Sequence, residues 1–450
     1  MMTSPASIKR KFELLPSIAH KPENLEMLLD ANSFREKLHR EILKAQSRIY
    51  LVALYLEDDQ AGRDVLTALF EAKQQRPELD IKVLVDWHRA QRGLIGADES
   101  DGNAALYRDF SEKYEHQIQI LGVPVKNKEV FGVLHLKGFV IDDKVIYSGA
   151  SLNDVYLAQN ERYRYDRYHV ISNKKLADSM SEFIIKNLVE SDAVHCLSQL
   201  DRPKTKSLKP AIRKFRHDLM RAHYSFQPDT ISEDQIGLTP LVGLGKRGNK
   251  LNNHIQNLVA SAEHELTICT PYFNFPRSIS KEVKKAIRRG VKVTIIVGDK
   301  TANDFYISPD KPFKTIAGLP YLYEMNLRAF AKLNEHSMAS RQLSIHLWKH
   351  EDNSFHLKGV WADRKYMLIT GNNLNPRAWR LDLENAILVH DVNEHLAEKK
   401  EQEISCILAH TQLVGSYKQI EKLEDYPSPV RKLLKRIKRV KADHILNQIL

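Results

Sequence analysis

Two histidine–lysine pairs are the residues in this 450-residue sequence whose types and spacing most clearly suggest chemistry. His135 and Lys137 open the phrase HLKGFVIDD, and His356 and Lys358 open the phrase HLKGVWADR. Residues two apart on a β-strand share a face, so each phrase places an imidazole beside an ammonium. Two such strands together would supply imidazoles that move protons and ammoniums that bind phosphate. The spacing therefore predicts a site for phosphate chemistry.

Each phrase continues as H-x-K-x(4)-D, which ends at Asp142 or Asp363, and a tail rich in Gly, Ser and Asn follows. One copy would be weak evidence, but two copies with the same spacing and similar tails indicate an internal duplication. We expect Asp142 and Asp363 to anchor hairpins rather than to touch substrate. The tails supply candidate substrate ligands at Ser151, Asn153, Asn373 and Asn375.

A histidine that acts as a nucleophile needs an acceptor for its Nδ1 proton, so that Nε2 presents a lone pair. Polar segments at 163–169 and 375–384 follow the first and second phrases in equivalent places. They make Asp166 and Glu384 the predicted orienting acids, with Glu161 as an alternative in the first half. The same segments offer polar candidates for substrate binding at Arg164, Arg167, Arg377 and Arg380.

Hydrophobic periodicity predicts the same order of elements in each half of the chain. A capping box at Ser33 and Glu36 predicts the start of the first long helix. The next helix, at 63–75, is predicted to bury Val65, Leu66, Leu69 and Phe70. Predicted strands at 49–55 and 81–87 flank it, and the second half repeats this order with 266–270, 280–289 and 291–297. Strand–helix–strand units predict an α/β fold with parallel pairing.

The duplication divides the chain into two α/β repeats with mixed sheets, which we expect to be related by a pseudo-twofold axis and to share one active site. The first repeat is predicted at 23–196 and the second at 238–415. A linker with a basic helix, at 197–237, separates them, and a basic amphipathic helical segment follows at 416–450.

The composition favours an anionic partner. There are 68 Lys and Arg against 57 Asp and Glu, a net charge of +11, which suits nucleic acid, an anionic membrane or a phosphorylated substrate. The 3 cysteines lie far apart without a C-x-x-C pattern, which indicates neither a disulfide framework nor a zinc ribbon. No apolar run approaches the roughly 20 residues that span a bilayer. We expect a cytoplasmic protein without a metal or another cofactor.

The basic segment near the C-terminus is predicted to be an amphipathic helix with an apolar face that includes Val430 and Leu434. Such a helix either docks on the core or contacts an anionic surface, and we favour a membrane over nucleic acid. An alternative membrane contact is the Gly- and Asp-rich excursion at 92–103. The predicted cationic contacts of the helix are Arg431, Lys432, Lys435, Arg436, Lys438 and Arg439.

The paired H-x-K-x(4)-D motifs and their tails resemble those of the phospholipase D superfamily, over essentially residues 30–415. Longer phrases, among them RPELDIKVLVDWHRAQRG and ITGNNLNPRAWRLDLENA, are similar to its branch of phosphatidylserine synthases from Gram-negative bacteria. The second tail departs from the common pattern, since Asn372 and Asn373 stand where many members have Gly-Ser.

The resemblance implies phosphatidyl transfer from CDP-diacylglycerol to L-serine without a cofactor, at the cytoplasmic face of the inner membrane. It also implies that His135 is the nucleophile, which forms a phosphatidyl-histidine, and that His356 is the acid and base. Ribosome or RNA association through basic patches is a further expectation. The motifs leave open another enzyme of the superfamily, such as a phospholipid hydrolase or cardiolipin synthase, and a nuclease or nucleic-acid-binding protein.

Overall fold

The computed structural model describes residue 12 and residues 14–92 and 102–439. Two compact units divide the chain. The N-terminal unit comprises Pro16–Leu251 and Arg380–Leu388, and the C-terminal unit comprises Met1–Leu15, Asn252–Trp379 and Val389–Leu450. The units differ from the predicted sequence repeats, because Arg380–Leu388, a short piece of the second repeat, belongs to the N-terminal unit.

The first half of the chain supplies most of the N-terminal unit. Its strands are β1 (Ile18–His20), β2 (Leu25–Leu28), β3 (Arg48–Val52), β4 (Asp80–Asp86), β5 (Gln119–Val123), β6 (Phe139–Ile141), β7 (Lys144–Ser148), β8 (Arg164–Tyr165), β9 (Tyr168–Ser172), β10 (His195–Cys196) and β11 (Ile236–Leu244). Its helices are α1 (Ala31–Lys44), α2 (Gln60–Gln75), α3 (Trp87–Ala90), α4 (Asn103–Lys113), α5 (Lys174–Ile184) and α6 (Lys209–Leu219).

The second half of the chain repeats this order. Its strands are β12 (Glu265–Thr270), β13 (Lys292–Gly298), β14 (Leu343–Trp348), β15 (Ser354–Phe355), β16 (Gly359–Ala362), β17 (Tyr366–Thr370), β18 (Leu383–His390) and β19 (Thr411–Leu413). Its helices are α7 (Lys250–Ser261), α8 (Arg277–Arg288), α9 (Leu319–Leu333), α10 (Glu335–Ala339), α11 (Pro376–Arg380), α12 (Ala397–Leu408) and α13 (Ser428–Arg439).

Both units contain a mixed sheet with the same internal order. In the N-terminal unit the order is β10-β5-β4-β3-β6-β7-β9-β2, and β3, β4 and β5 are parallel. In the C-terminal unit the order β19-β14-β13-β12-β16-β17 repeats it, with β12, β13 and β14 parallel. In each unit the hairpin that follows the H-x-K phrase, β6–β7 or β16–β17, pairs antiparallel with the first parallel strand. The predicted α/β class and the two similar halves with mixed sheets are confirmed.

Helix α2 shows how the apolar pattern positions these elements. Its predicted buried residues, Val65, Leu66, Leu69 and Phe70, are all inaccessible to solvent. The last four residues of β4, 83–86, are all buried, as expected for parallel strands that helices cover. This burial includes Asp86 at the carboxyl end of the strand.

The start of α1 corrects one local prediction. The helix begins at Ala31, and Asp30 is its N-cap, because the Asp30 side chain accepts a hydrogen bond from the Ser33 backbone N–H at 2.8 Å. The prediction that Ser33 caps the helix is wrong. Asp and Ser are similarly good N-caps, and the Ser33 hydroxyl donates to Asp30 instead of capping.

The C-terminal helix α13 is docked within its own unit. Val430 and Leu434 are 3% and 4% exposed and cluster with Tyr321, Leu322 and Tyr426. The apolar face of this helix therefore docks on the core of its unit, which is one of the two predicted alternatives. Among the helices that the structure describes, none combines the length and apolar composition needed to cross a bilayer.

Candidate active site

The first H-x-K phrase is held by backbone hydrogen bonds from buried neighbours. His135 and Lys137 lie in an extended segment just before β6, which begins at Phe139. The Leu134 N–H donates to the Asp86 carboxylate at 3.0 Å, and the His135 N–H donates to the Leu383 carbonyl at 3.0 Å. These bonds fix the backbone that leads into His135, a buried residue that is only 7% exposed.

Glu384 supplies a carboxylate to the imidazole of His135. Its Oε1 lies 2.9 Å from His135 Nδ1, and the glutamate is 1% exposed. A carboxylate at this distance suits retention of the proton on Nδ1, which would leave the Nε2 lone pair available, and this role of Glu384 stays a prediction. Glu384 belongs to the start of β18, the piece of the second repeat that folds with the N-terminal unit. The histidine and its acid therefore come from different sequence repeats.

Asn385 holds the backbone of Lys137 from both sides. The Lys137 N–H donates to Asn385 Oδ1 at 2.8 Å, and Asn385 Nδ2 donates to the Lys137 carbonyl at 2.8 Å. Asn385 Nδ2 also donates to the Tyr224 hydroxyl at 3.0 Å, and the Tyr147 hydroxyl donates to Asn385 Oδ1 at 3.1 Å. Because Asn385 is 1% exposed, these bonds are shielded from water. The arrangement fixes the backbone of Lys137, two residues after His135.

Replacing Asn385 with leucine should lower both stability and turnover. Two buried backbone groups of Lys137 would lose their partners, which costs about 2–4 kcal/mol of unfolding free energy. Displacement of the ammonium should lower kcat roughly tenfold with little change in KM. Urea unfolding and steady-state kinetics measure the two effects. Tyr224→Phe removes one bond of the same network, so we expect a cost of only about 1 kcal/mol and nearly normal kcat. Equal kinetic losses in the two variants would contradict this role.

The second H-x-K phrase forms a similar buried pair in the C-terminal unit. His356 and Lys358 are 6% and 0% exposed, and Lys358 Nζ contacts both ring nitrogens of His356, Nδ1 most closely and Nε2 at 3.1 Å. The Tyr272 ring meets the His356 ring edge-on, and the Tyr272 hydroxyl donates to Asp304 at 2.8 Å. A buried ammonium is costly unless an anion compensates it. The position of Lys358 beside an imidazole therefore suits a phosphate ligand.

The tails after the two hairpins fold in the same way. Asn153 Oδ1 accepts the Tyr156 N–H at 3.1 Å, and Asn375 Oδ1 accepts the Ala378 N–H at 2.9 Å. Asn153 Nδ2 also donates to Glu57 at 3.1 Å. These asparagines therefore close turns, and their contact with substrate stays a prediction.

Two neighbouring asparagines of the second tail have polar atoms suited to a ligand. Within the described residues, Asn372 Nδ2 and Asn373 Oδ1 are buried without a hydrogen-bond partner. Ser151, the residue of the first tail in the place of Asn373, is 2% exposed. Buried polar atoms are nearly always paired, so atoms of this kind fit a site that is completed by substrate.

Known proteins share this architecture. The family profile described as "Cardiolipin synthase, PLD-like domain" matches residues 38–186 and 255–407, which contain both H-x-K phrases. The chain belongs to the phospholipase D-like family. Both halves of this phospholipase D-like chain match, in agreement with the duplication seen in its sheets.

Three full-length similarities are more specific. The chain is 52% identical to the CDP-diacylglycerol–serine O-phosphatidyltransferase of Escherichia coli K12, over 97% of this chain and 96% of the relative. It is 47% identical to the enzyme of the same name from Haemophilus influenzae, over 97% of each chain. The crystal structure of a phosphatidylserine synthase from Haemophilus influenzae superposes with a TM-score of 0.96 at 45% identity and 100% coverage of both chains.

The motif aspartates of this phospholipase D-like chain bind backbone. Asp142 accepts amide hydrogen bonds from Gln46 at 2.9 Å and Ser47 at 2.8 Å, and Asp363 accepts those of His264 at 2.7 Å and Glu265 at 3.0 Å. Burial alone would raise the pKa of Asp142, but the amide and hydroxyl donors hold the pKa below its usual value. Each aspartate therefore ties its hairpin to the beginning of the first parallel strand.

Asp166 and the four arginines occupy different environments. Asp166 is 2% exposed, and its carboxylate lies over Gly149, where an added Cβ would meet Oδ2 at 2.5 Å. Arg167 is buried near His169, with Nη2 3.3 Å from Nε2, and Arg164 stacks on the Tyr156 ring at 4.6 Å. The side chains of α11, Arg377 and Arg380, are half-buried. The roles of Asp166 and these arginines stay predictions.

Sequence reasoning missed the residues that position the first phospholipase D-like motif. Asp86 accepts the backbone N–H groups of Leu134, His88 and Arg89 at 3.0 Å each. Complete burial raises the pKa of Asp86 to about 6. The position of Asp86 at the carboxyl end of a strand predicts a loop that helps to recognise the substrate, since ligand loops of α/β proteins begin there, but it does not predict the bond of Asp86 to the Leu134 N–H. Asn385 carried no such signal.

No group of three or more His, Cys, Asp or Glu side chains within the described ranges is arranged to hold a metal ion.

Proposed function

We propose that this chain transfers the phosphatidyl group of CDP-diacylglycerol to L-serine, which yields phosphatidylserine and CMP. The observation that carries this function is the 52% identity, over nearly the whole length of both chains, to a CDP-diacylglycerol–serine O-phosphatidyltransferase. The chemistry of the two buried His–Lys pairs agrees with it, because the donor substrate is a diphosphate.

In the first step, His135 Nε2 attacks the phosphorus that carries the diacylglycerol. The bond from this phosphorus to the CMP oxygen breaks, and a phosphatidyl-histidine forms. His356 gives a proton to the departing CMP, while Lys137 and Lys358 neutralise the charge on the phosphoryl oxygens. Glu384 supports this assignment of the nucleophile, since its carboxylate lies 2.9 Å from His135 Nδ1. Asp166 is the corresponding orienting acid in the proposal.

In the second step, His356 accepts the proton of the serine hydroxyl, and the serine oxygen attacks the phosphatidyl-histidine. The P–N bond breaks and the His135 lone pair is restored. One histidine thus acts as nucleophile and the other as acid and then base, which requires both motifs to serve one reaction. The half-buried Arg377 and Arg380, together with Arg164 and Arg167, are the proposed polar contacts of the substrates.

Product analysis tests the acceptor. Purified protein is incubated with labelled CDP-diacylglycerol in mixed micelles, with and without L-serine. We expect CMP and phosphatidylserine in equal amounts and strong dependence on serine. Phosphatidic acid as the main product, formed without serine, would identify a hydrolase instead. Formation of cardiolipin from phosphatidylglycerol would identify the other phospholipase D-like alternative.

We propose that the enzyme works at the cytoplasmic face of the inner membrane, held by charge. Five of the six predicted cations of α13 are exposed, and Arg431 is half-buried. Val430 and Leu434 pack inside the unit, so the apolar face of α13 does not contact lipid. We propose that its cations contact anionic lipid instead, at about 1 kcal/mol per cation. The alternative contact at 92–103 falls largely on residues 93–101, outside the described residues.

Reversing three exposed charges of α13, at Lys432, Lys435 and Lys438, to glutamate should weaken binding to anionic vesicles by roughly 100-fold at low salt. The same change at Lys281, Lys284 and Arg288 of α8 is the matched control. Vesicle flotation measures binding. Charge reversal is a cleaner test than truncation after Pro429, which would also remove Val430 and Leu434 from their packed cluster.

Unchanged flotation of the α13 variant would contradict this membrane contact. RNA binding assays on the same variants test the expected ribosome or RNA association. Salt-sensitive RNA binding by a protein that does not bind vesicles would favour the nucleic-acid alternative.

A further inference from the structure

Residues 126–132 form a loop, here called the Phe131 tip, that takes no part in the proposed reaction. Its side chains of Val130 and Phe131 are 51% and 54% exposed, although both are apolar. Lys128 is exposed beside them and Lys126 is half-buried. Single exposed apolar residues are common, but an adjacent pair at a loop tip, with two lysines shortly before it in the chain, is a patch suited to a partner.

The tip is braced at both ends. Arg92 pairs with Glu129 through two bonds, Nε to Oε2 at 2.5 Å and Nη2 to Oε1 at 2.8 Å. His88 Nε2 lies 2.6 Å from the Lys126 carbonyl oxygen. A two-point guanidinium–carboxylate pair fixes orientation as well as distance. The exposure of Val130 and Phe131 is therefore a feature of an anchored turn.

The tip leads directly into the catalytic phrase. Gly132 has a φ of 139° and approaches the segment before β18 so closely that a Cβ would lie 2.3 Å from the Leu381 carbonyl oxygen. The next residue, Val133, donates its N–H to Asp382 at 3.1 Å. Three residues lie between Phe131 and His135, so the four residue steps from one to the other span at most about 14 Å when extended. A partner that seats Phe131 is thereby placed close to the catalytic imidazole.

Positive charge surrounds the base of the tip. Arg216 of α6 lies near Lys126, and burial together with the Arg216 charge lowers the pKa of Lys126. Burial likewise lowers the pKa of Arg216, while Asp382 opposes this change. Cations that repel one another favour an anionic neighbour. An apolar pair with cations nearby matches the chemistry of an anionic phospholipid surface, with acyl chains beside phosphates.

We propose that the Phe131 tip enters the interface of the lipid bilayer. Val130 and Phe131 pack among the upper acyl chains, and Lys126 and Lys128 face the anionic headgroups. The inserted tip holds the membrane within a fixed distance of His135, so that the lipid diphosphate reaches the imidazole while its acyl chains stay in the bilayer. This inference rests on the proposed function, because a membrane contact near His135 is useful only if the donor substrate is a lipid.

Fluorescence tests insertion without using activity. Phe131→Trp adds one exposed indole, whereas the native Trp87, Trp348, Trp361 and Trp379 are each at most 8% exposed. The probe is vesicles of phosphatidylcholine and phosphatidylglycerol with brominated acyl chains. We expect a blue shift and about threefold or greater quenching of the added indole. Leu333→Trp, at a position 75% exposed in α9, is the matched control and should remain unquenched.

Absence of quenching in Phe131→Trp would overturn the proposal, whether or not the protein floats with vesicles. A blue shift that depends on protein concentration without lipid would also overturn it, because the tip would then be a contact between copies of this chain.

Comparing activity on a donor in vesicles with activity on a monomeric donor tests whether the contact delivers lipid to the site. The double variant Val130→Ser with Phe131→Ser should lose about tenfold or more of its activity on long-chain CDP-diacylglycerol in vesicles. It should retain nearly normal activity on a short-chain donor dispersed as monomers. Leu333→Ser serves as the control. Equal losses on both donors would show a structural role and overturn the proposal. If wild-type protein forms no phosphatidylserine from either donor, the proposed function fails, and the quenching result still decides insertion.

Discussion

Replacing His135 with alanine is expected to lower CMP release by about 10⁴-fold or more, because the attacking nitrogen is then absent. Replacing His356 with alanine removes the proton donor, and the expected loss is about 10²–10⁴-fold. The measurement that separates the two roles is trapping, on the denatured protein, of a phosphatidyl group labelled at its phosphorus, at a mildly alkaline pH that preserves the phosphorus–nitrogen bond. We expect the label in wild-type protein and its absence in His135→Ala.

The control for this experiment is His346→Ala, which removes a half-buried histidine of β14 outside the motifs. It should trap label as wild type does. A covalent adduct that persists in His135→Ala but disappears in His356→Ala would reverse the assignment of nucleophile and acid. Normal CMP release by either single variant would contradict the requirement for both motifs in one reaction.

Changing Glu384 to glutamine should reduce kcat by roughly 10²–10⁴-fold while KM changes little. The amide preserves size but no longer holds a proton on His135 Nδ1, which lies 2.9 Å from Glu384 Oε1. The imidazole then loses both the preferred tautomer and the charge that stabilises it as the phosphorus–nitrogen bond forms. Steady-state kinetics and the rate of adduct formation in a single turnover measure this loss.

The matched control is Glu282→Gln, which neutralises another buried glutamate, paired with Lys285 in α8. It should leave the rate of adduct formation unchanged. If Glu384→Gln forms the adduct at the normal rate and is folded by circular dichroism, the carboxylate is not the orienting acid of His135.

Sequence periodicity was sufficient for the repeated α/β units because their strands and helices follow simple apolar patterns. The buried face of α2 is an example, since each of its four predicted residues is inaccessible to solvent. The N-cap of α1 was predicted wrongly because Asp30 and Ser33 satisfy the same local rule, and only the fold selects between them. Local chemistry therefore sets the elements but not always their ends.

The chemistry of the site was easier to predict than the contacts that orient it. His–Lys spacing is visible in the sequence, and a carboxylate at Glu384 could be named from its place after the second phrase. Its position beside His135 could not, because β18 joins a unit built mainly from the first repeat. Asn385 is harder still, since its role depends on the backbone of Lys137, and backbone groups have no signature in a sequence.

The place of β18 in the N-terminal unit has a consequence for biosynthesis. His135 leaves the ribosome long before Glu384 and Asn385, and at about 5–20 residues per second the interval is roughly 12–50 s. During that time the nascent chain carries the histidine without its carboxylate and the lysine without its backbone clamp. The proposed nucleophile therefore gains its carboxylate neighbour only after most of the second repeat has been translated, and a chain released early lacks the contacts of Glu384 and Asn385.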